Sequence, residues 1–415
     1  MDLSKLTRIL LYIVVIMSVL FSPAAYLGIL PILMLLIYQE KHQQLIEMFL
    51  KNKPIMIICL CIALSTFFSK EPLFSIAADV ILFLLIAFWL ILVFVVSPGR
   101  LDSLYRLLSI ICFAVCIFGI YQVFSGDTEG LKSWVDQNSF GSLKRIYSTL
   151  QNPNIFAGYI VINLCFFISK YIHNDRLKDA LLVPNILLLS ACLILTYSRG
   201  GFISFCIAMS LLLIFKRNKA LVLYMAVMVA AFYLYNSLGN INRAELDAIY
   251  KDSSNTYRIE IWRAAIQIFV QNPITGHGVG TLWYHLSTYS AKLYKYVIHA
   301  HSIYLHVAAE LGVIGLGAFL YFAVIEFFGA LKLWINNETD KNRYIFMGYL
   351  CSLTAIMAHG VFDAVIFIPS LSMIFISYFS LYKLASASAD VSGKKNLLGF
   401  IARSLDRKGS CNSSI

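Results

Sequence analysis

The stretch IAADVILFLLIAFWLILVFVVS, Ile76 to Ser97, decides the fold class of this chain. It is apolar almost throughout and has the length, about 20 residues, that a helix needs to cross the hydrocarbon core of a bilayer. The rest of the chain has the same character, since 60% of its 415 residues are hydrophobic, 13% are charged and the mean hydropathy is +0.77. This balance excludes a water-soluble globular domain.

Similar apolar stretches recur along the chain. Reading for about 17 to 25 apolar residues, we predict spans near 9–22, 24–38, 54–69, 76–97, 106–124, 154–172, 180–198, 202–215, 220–237, 311–334, 344–359 and 361–382. The first is interpreted as a retained helix and not as a signal peptide, because so many spans follow it. The sequence therefore predicts an all-α integral membrane protein with about 12 transmembrane helices and a large extracytoplasmic loop containing short helices.

Charge and cysteine distribution restrict the protein further. Most of the 33 Lys and Arg residues fall in the termini and short loops that an orientation with both termini in the cytoplasm places on the inner side. The net charge of +11 is then an orientation signal and requires no nucleic-acid partner. Of the nine cysteines, all but Cys411 lie in apolar spans, where a thiol packs as a small hydrophobe, so no disulfide framework is predicted.

The predicted order of segments concentrates the long loops on the outer side. We divide the chain into N-terminal transmembrane helices in 1–124, a first extracytoplasmic loop in 125–153, transmembrane helices in 154–237 with Arg199 at an outer turn, a large extracytoplasmic loop in 238–310, C-terminal transmembrane helices in 311–382 and a cytoplasmic tail in 383–415. The inward loops are short and basic. Any chemistry is therefore expected on the extracytoplasmic side.

One arginine lies on a helix face where a cation needs an explanation. The segment Ser254 to Pro273 predicts a helix from about Tyr257 to Gln271. Arg258 then shares a face with Trp262, which should lie on protein or lipid, and stands in the first turn, where the helix dipole disfavours a cation. A phosphate held by Arg258 and the free N–H groups of that turn would supply an anion, and a neighbouring carboxylate or lipid headgroups would do so equally.

A second arginine, Arg199, stands in LTYSRGGF between two apolar spans. Cations at such a boundary commonly reach out to lipid headgroups. The glycines Gly200 and Gly201 favour a functional role, because a tight turn would hold the charge in a fixed position. In contrast, GHGVG at Gly276–Gly280 does not follow a strand, and it predicts a plain turn, not a phosphate loop.

Histidines precede the span near 311–334, in VIHAHSIYLHVAAELG. His299, His301 and His306 would suit a metal site, but no acidic or cysteine ligand accompanies them at convincing spacing, so none is predicted. His306 is expected to be structural. His301 stands before Ser302, a plausible helix cap, and is our candidate general base. His359 and Asp363 form another i, i+4 pair, which is either part of a site or a local bond that closes a turn.

Five motifs in this order resemble the O-antigen ligase and O-antigen polymerase superfamily. The resemblance covers about residues 145–369 and rests on RIYSTLQNPNIFAGY (Arg145–Tyr159), TYSRGG (Thr196–Gly201), YRIEIWRAAIQIFVQNPITGHGVG (Tyr257–Gly280), HAHSIYLHVAAELGVIG (His299–Gly315) and HGVFD (His359–Asp363). Members of this family are inner-membrane glycosyltransferases that take a glycan from undecaprenyl diphosphate on the periplasmic side, with no metal and no other cofactor.

The resemblance implies roles for individual residues. Arg199 and Arg258 match the family's two essential arginines, and His301 matches its catalytic histidine. The other positions expected in the substrate-binding site are His299, Arg145, Asn152, Asn154, Asp363 and His359. The large loop in 238–310 would then be the periplasmic catalytic loop.

The expected function is therefore transfer of a glycan from undecaprenyl diphosphate to an acceptor hydroxyl, most simply by a ligase that attaches O-antigen to lipid A–core. A polymerase of O-antigen or exopolysaccharide is the alternative within the same chemistry. A polytopic transporter is the alternative from another class, but the predicted spans hold few charges to line a path across the membrane. A non-catalytic scaffold remains a third alternative, which alanine at Arg199, Arg258 and His301 would test.

Overall fold

The structure, a computed structural model, describes residues 2–125, 145–173, 179–238, 253–289, 297, 299–337 and 341–409. Most of the predicted first outer loop (126–144), two parts of the large outer loop (239–252 and 290–296) and the end of the predicted tail (410–415) lie outside the described residues.

The described residues are helical and contain no strand, as predicted. The helices are α1 (Leu3–Leu20), α2 (Ser22–Tyr38), α3 (His42–Lys51), α4 (Lys53–Phe67), α5 (Pro72–Val96), α6 (Leu101–Ser125), α7 (Pro153–Ile172), α8 (Leu182–Leu195), α9 (Arg199–Lys216), α10 (Lys219–Leu238), α11 (Ser253–Gln271), α12 (Leu282–Tyr289), α13 (Ile303–Asn336), α14 (Arg343–His359) and α15 (Pro369–Gly409).

Within the described part of the chain, 7 helices are long and apolar enough to cross a membrane, namely α1, α5, α6, α7, α9, α10 and α13. The number becomes 8 if α2 and α3, which meet at a bend of 111°, form one span. The predicted count of about twelve is not confirmed. Three of the other predicted spans coincide with helices of only 15, 14 and 17 residues, α4, α8 and α14, and at 1.5 Å per residue each is shorter than a bilayer core of about 30 Å.

The predicted start of the span at 361–382 is also wrong. The chain forms a turn after His359, and α15 begins at Pro369. Ile368 is extended and Pro369 is the first helical residue, which is where proline is tolerated because its missing N–H would be unpaired anyway. The residues before Pro369 are apolar, so this turn was not recognised from the sequence. The turn is important because it contains Asp363.

The core of the fold surrounds α7 and α14. Most side chains of α7 are buried, and this helix packs against α8, α9 and α14. Helix α13 packs against α14 on another side and against α4 and α11. The first residues of α7, α9 and α13 and the last residue of α14 consequently meet at one end of the bundle.

Helix α13 is broken by Gly312, which has φ 68° and ψ −168°. The segment after α11 enters this break, since the N–H of Val313 donates to the carbonyl of Pro273 at 2.8 Å and the N–H of Gly278 donates to the carbonyl of Glu310 at 3.0 Å. GHGVG is therefore a turn packed against α13, as predicted, and Gly276, also at positive φ, leaves no room for a side chain against the backbone of Glu310.

Gly312→Ala is expected to lower the free energy of unfolding by about 2 kcal/mol or more, because alanine disfavours the left-handed region and its Cβ would lie 2.2 Å from the carbonyl oxygen of Ile274. The matched control is Gly317→Ala in the same helix, where nothing lies within 4 Å, and it should be neutral or slightly stabilising. Thermal unfolding in detergent measures both. Equal unfolding temperatures for the two variants would contradict this account of the break.

Candidate active site

Asp363 lies at the end of the bundle where the helix termini meet. Its backbone N–H donates to the carbonyl of His359 at 2.9 Å, which continues the last turn of α14. Its side chain is buried, with 6% of its surface exposed. A carboxylate buried to this extent needs several partners to remain charged.

The Asp363 carboxylate has partners from three other elements. Its Oδ1 accepts from Nδ1 of His301 at 3.1 Å and from the N–H of Ala364 at 2.9 Å. Its Oδ2 accepts from Nδ2 of Asn154 at 3.0 Å and lies 3.6 Å from Nη2 of Arg258. The site therefore joins α7, α11 and the start of α13 to the turn after α14.

These partners keep the carboxyl group ionised. Burial by itself would raise the pKa of Asp363, but the charge and hydrogen bond of His301, together with His299 and Arg258, hold that pKa well below its usual range. The sequence analysis paired Asp363 only with its near neighbour His359. The structure supplies a partner in His301, which lies far away along the chain.

The contact between Asp363 and His301 determines which ring nitrogen can accept a proton. A carboxylate only accepts hydrogen bonds, so the proton of a neutral His301 ring must be on Nδ1, and the lone pair is on Nε2. The His301 side chain remains 25% exposed. An imidazole held by a carboxylate at one nitrogen and open at the other has the arrangement of a general base.

His299 is largely buried beside His301 and Asp363. Its Nδ1 accepts from the N–H of His301 at 3.3 Å and lies 3.9 Å from Oδ1 of Asp363. Burial lowers the pKa of His299 to about 3, helped by the neighbouring His301. His299 is therefore neutral near pH 7 and cannot offer positive charge to a phosphate group.

These pKa shifts predict how stability depends on pH. Because the pKa of His299 is about 3 in the folded protein, below its ordinary 6.5, protonation favours unfolding, and stability falls as the pH decreases from 6.5. Asp363 acts in the same direction at lower pH: its lowered pKa contributes stability above the unfolded value of about 3.9, and that contribution is lost only below it.

Between about pH 6.5 and 4, His299→Asn should therefore make the unfolding temperature less dependent on pH than in the wild type, because asparagine keeps an acceptor near Nδ1 but does not titrate. Thermal unfolding at a series of pH values measures this slope. Equal slopes in the two proteins would mean that His299 is not held neutral by the fold.

Arg258 does not lie at the helix position that the sequence predicts. Helix α11 begins at Ser253, so Arg258 lies in the second turn, away from the free N–H groups that were expected to share an anion with it. The anion beside Arg258 is the carboxylate of Asp363, which was the alternative to a phosphate. The Arg258 side chain remains 22% exposed, so it is not closed off from a ligand.

Arg199 is the first residue of α9, after the capping residue Ser198. The two glycines that follow are helical and allow close packing instead of a tight turn. A methyl group at Gly201 would lie 2.5 Å from Cβ of Ala157 in α7, and one at Gly200 would lie 3.3 Å from Cδ2 of His359. The glycines therefore bring the start of α9, with Arg199, against α7 and the end of α14.

The segment that was predicted to bind substrate through Arg145, Asn152 and Asn154 is occupied by contacts within the protein. Arg145 donates from Nε to the carbonyl of Thr196 at 2.8 Å and from Nη2 to Oδ1 of Asn154 at 3.1 Å. Asn152 caps α7, with Oδ1 accepting from the N–H of Asn154 at 2.8 Å. These side chains fix the frame that holds Asp363, and their binding of substrate remains a prediction.

His359 and His306 make different contacts from those of His301. The His359 ring is buried between α7 and α9, where a methyl group at Gly158 would lie 3.6 Å from its Nδ1. Its ring makes no hydrogen bond to Asp363 or to any other described residue. The local side-chain bond considered for this pair is therefore not formed, and backbone hydrogen bonds close the turn. His306 lies 3.3 Å from the carboxylate of Glu310, in keeping with the structural role predicted for it.

Three of these groups also have the spacing of metal ligands. The ligand atoms of His299, His301 and Asp363 all lie within 4.8 Å of one another. No metal site was predicted from the sequence, because no acidic ligand accompanied the histidines at convincing spacing. In the folded protein, Asp363 supplies such a ligand. However, Arg258 approaches the same carboxylate at 3.6 Å, and a guanidinium there disfavours a second cation. A metal-free reaction stays a prediction.

Two contributors were missed because they act through long-range contacts. Trp262 donates from Nε1 to the carbonyl of His301 at 3.3 Å, and Thr196 supplies its carbonyl to Arg145. The i, i+4 spacing of Trp262 from Arg258 was a usable signal, since it places both on one face of α11. No local pattern identifies a backbone acceptor such as Thr196.

Parts of this chain are similar in sequence to known proteins. Residues 184–320 match the family model of the O-Antigen ligase, a range that contains Arg199, Arg258 and His301 but not Asp363. The exopolysaccharide production protein ExoQ of Rhizobium meliloti (strain 1021) is 27% identical over 110 residues, which are 25% of this chain and 25% of that protein. The matched part thus spans about a quarter of that relative. Together, these matches show that part of this multi-pass membrane protein is similar to O-antigen ligases and to an exopolysaccharide production protein.

Proposed function

We propose that this protein transfers a glycan from undecaprenyl diphosphate to an acceptor hydroxyl, on the periplasmic face of a bacterial inner membrane and without a metal. The observation that carries the proposal is the contact of 3.1 Å between His301 and an ionised Asp363, beside Arg258. This arrangement supplies a base with a defined lone pair and positive charge close to it. Transfer from a lipid diphosphate requires both.

In the proposed reaction the acceptor oxygen attacks the anomeric carbon of the glycan. The new C–O bond forms as the bond between that carbon and the diphosphate oxygen breaks, and the acceptor proton moves to Nε2 of His301. A single displacement inverts the anomeric centre. Undecaprenyl diphosphate leaves with the electron pair of the broken bond.

The remaining residues stabilise charge as it develops. Asp363 stabilises the imidazolium that forms on His301, and its fixed position avoids reorganisation during the reaction. Arg199 and Arg258 balance the charge of the leaving diphosphate. Asp363 already neutralises the positive charge of Arg258 in the resting site. Once His301 is protonated, the same carboxylate also neutralises the imidazolium, which leaves more of the Arg258 charge for the leaving diphosphate.

The acceptor distinguishes the two forms of this function. A ligase would attach O-antigen to lipid A–core, which agrees with the description of the matching family. A polymerase would join glycan repeat units, and the relative named as an exopolysaccharide production protein favours this second form. Both use the same donor and the same base.

A deletion of the gene in its native host, complemented with wild type or His301→Ala, tests the proposal. The surface glycan and the glycan on the lipid carrier are the two pools to be sized on gels. Long glycan that remains on the lipid carrier while lipid A–core stays uncapped would indicate a ligase, and single repeat units in both pools would indicate a polymerase. Unchanged gels would contradict transfer altogether. In that case transport across sealed vesicles becomes the function to measure.

A further inference from the structure

His301 has an unusual backbone conformation, with φ 47°. This is the left-handed region, which is unfavourable for a residue with a Cβ and which few residues other than glycine adopt. Such a conformation persists where the surrounding contacts enforce it. The question is which contacts do so here, and what they achieve.

Both backbone polar groups of His301 are held by side chains. Its N–H donates to Nδ1 of His299 at 3.3 Å, and its carbonyl accepts from Nε1 of Trp262 at 3.3 Å. The next anchor is the N–H of Ile303, which donates to the carbonyl of Gly360 at 2.7 Å. The backbone around His301 is thus tied to α11 on one side and to the turn after α14 on the other.

The conformation decides where the His301 ring lies. Because φ sets the direction of the Cα–Cβ bond relative to the chain, relaxation to an ordinary φ with the neighbours fixed would move the ring away from its present place. Its Nδ1 would then lose the 3.1 Å contact with Asp363. Without that contact the ring is free to take the other tautomer, which places the proton on the nitrogen that must accept one.

We propose that Trp262 and His299 are positioning residues that clamp the backbone of His301 and so aim its ring at Asp363. The inference rests on the proposed function for its catalytic meaning, but the clamp itself is a statement about structure. It gives His299 a role other than substrate binding. His299 suits this role because its neutral ring keeps the Nδ1 lone pair that the His301 N–H needs.

The kinetic test uses Trp262→Phe, which keeps an aromatic ring and removes the N–H donor. Loss of one hydrogen bond of about 1 kcal/mol should lower kcat about fivefold to tenfold and leave KM unchanged. The matched control is Trp283→Phe in α12, a partly exposed tryptophan without contact to His301, which should stay within about twofold of wild type. A Trp262→Phe enzyme with the wild-type kcat would overturn the proposal.

A double variant separates positioning from general stability. In a His301→Ala background, Trp262→Phe should have no further effect on the residual rate, because the residue acts through His301. A further loss of the same size would mean that Trp262 is merely structural. In the same way, His299→Ala should lower kcat about fivefold to tenfold, and His299→Asn, which offers an acceptor near Nδ1, should restore most of it.

A measurement independent of activity keeps the clamp testable if the donor is not a lipid diphosphate. The hydrogen-bonded Nδ1–H of His301 should give a low-field proton resonance in ¹⁵N-histidine-labelled protein, absent from His301→Ala. Trp262→Phe should shift or broaden this resonance, and Trp283→Phe should leave it in place. An unchanged resonance in Trp262→Phe would reject the clamp, whereas a wild type that shows the resonance without transferring glycan would reject the proposed function alone.

Discussion

His301→Ala is expected to lower kcat about 10²- to 10⁴-fold, because general base catalysis contributes that much and the ring is the described group whose lone pair is fixed by an ionised carboxylate. Transfer of a labelled glycan by the reconstituted protein measures the effect. The matched control is His42→Ala in α3, an exposed histidine away from the site, which should keep the wild-type rate.

The unfolding temperature of His301→Ala should fall only slightly, because alanine is strained at φ 47° as histidine is and buried Asp363 loses one hydrogen-bond donor. This separates lost chemistry from a damaged fold. A fully active His301→Ala protein would mean that the base is elsewhere and that the histidine is held in the site for another reason.

Asp363→Asn is expected to have an effect of similar size, a decrease in kcat of about 10²- to 10⁴-fold. An asparagine that turns its amide toward His301 donates to Nδ1, which forces the ring proton onto Nε2 and removes the lone pair. The change also leaves Arg258 without the carboxylate that now lies 3.6 Å away. The rate should therefore fall while KM for the acceptor changes little.

The control for this variant is Asp79→Asn, which removes another buried carboxyl group, in α5, outside the site. Its activity should be close to that of wild type. If Asp363→Asn and Asp79→Asn were equally active, the carboxylate of Asp363 would have no part in orienting the base, and the account of the tautomer would be wrong.

Local sequence signals predicted those parts of the fold that depend on neighbours along the chain. Asn272 and Pro273 end α11 as expected, and Ser302 occupies the capping position before α13. The apolar residues around Val365 were read as part of a span, because periodicity does not reveal a turn whose polar groups are satisfied by distant elements. Gly312 was not recognised as a break, since its partners come from the segment after α11.

The structure brings the predicted residues His301, Arg258 and Asp363 together, but the sequence did not predict the contacts among them. A cation at Arg258 required an anion, and this argument was sound although its helix position was wrong. That the anion is Asp363, and that the same carboxylate holds His301, follows only from the packing of α11 against α13 and of α13 against α14. Contacts between residues so far apart in the chain leave no local pattern to read.

The measurement that tests the central claim most directly is glycan transfer in proteoliposomes that contain the purified protein, a labelled glycan on undecaprenyl diphosphate and an acceptor, with a metal chelator present. The account predicts that label moves to the acceptor as undecaprenyl diphosphate is released in equal amount, and that His301→Ala leaves the label on the carrier. Wild-type protein that transfers no label, or a His301→Ala protein that transfers it at the same rate, would contradict the account.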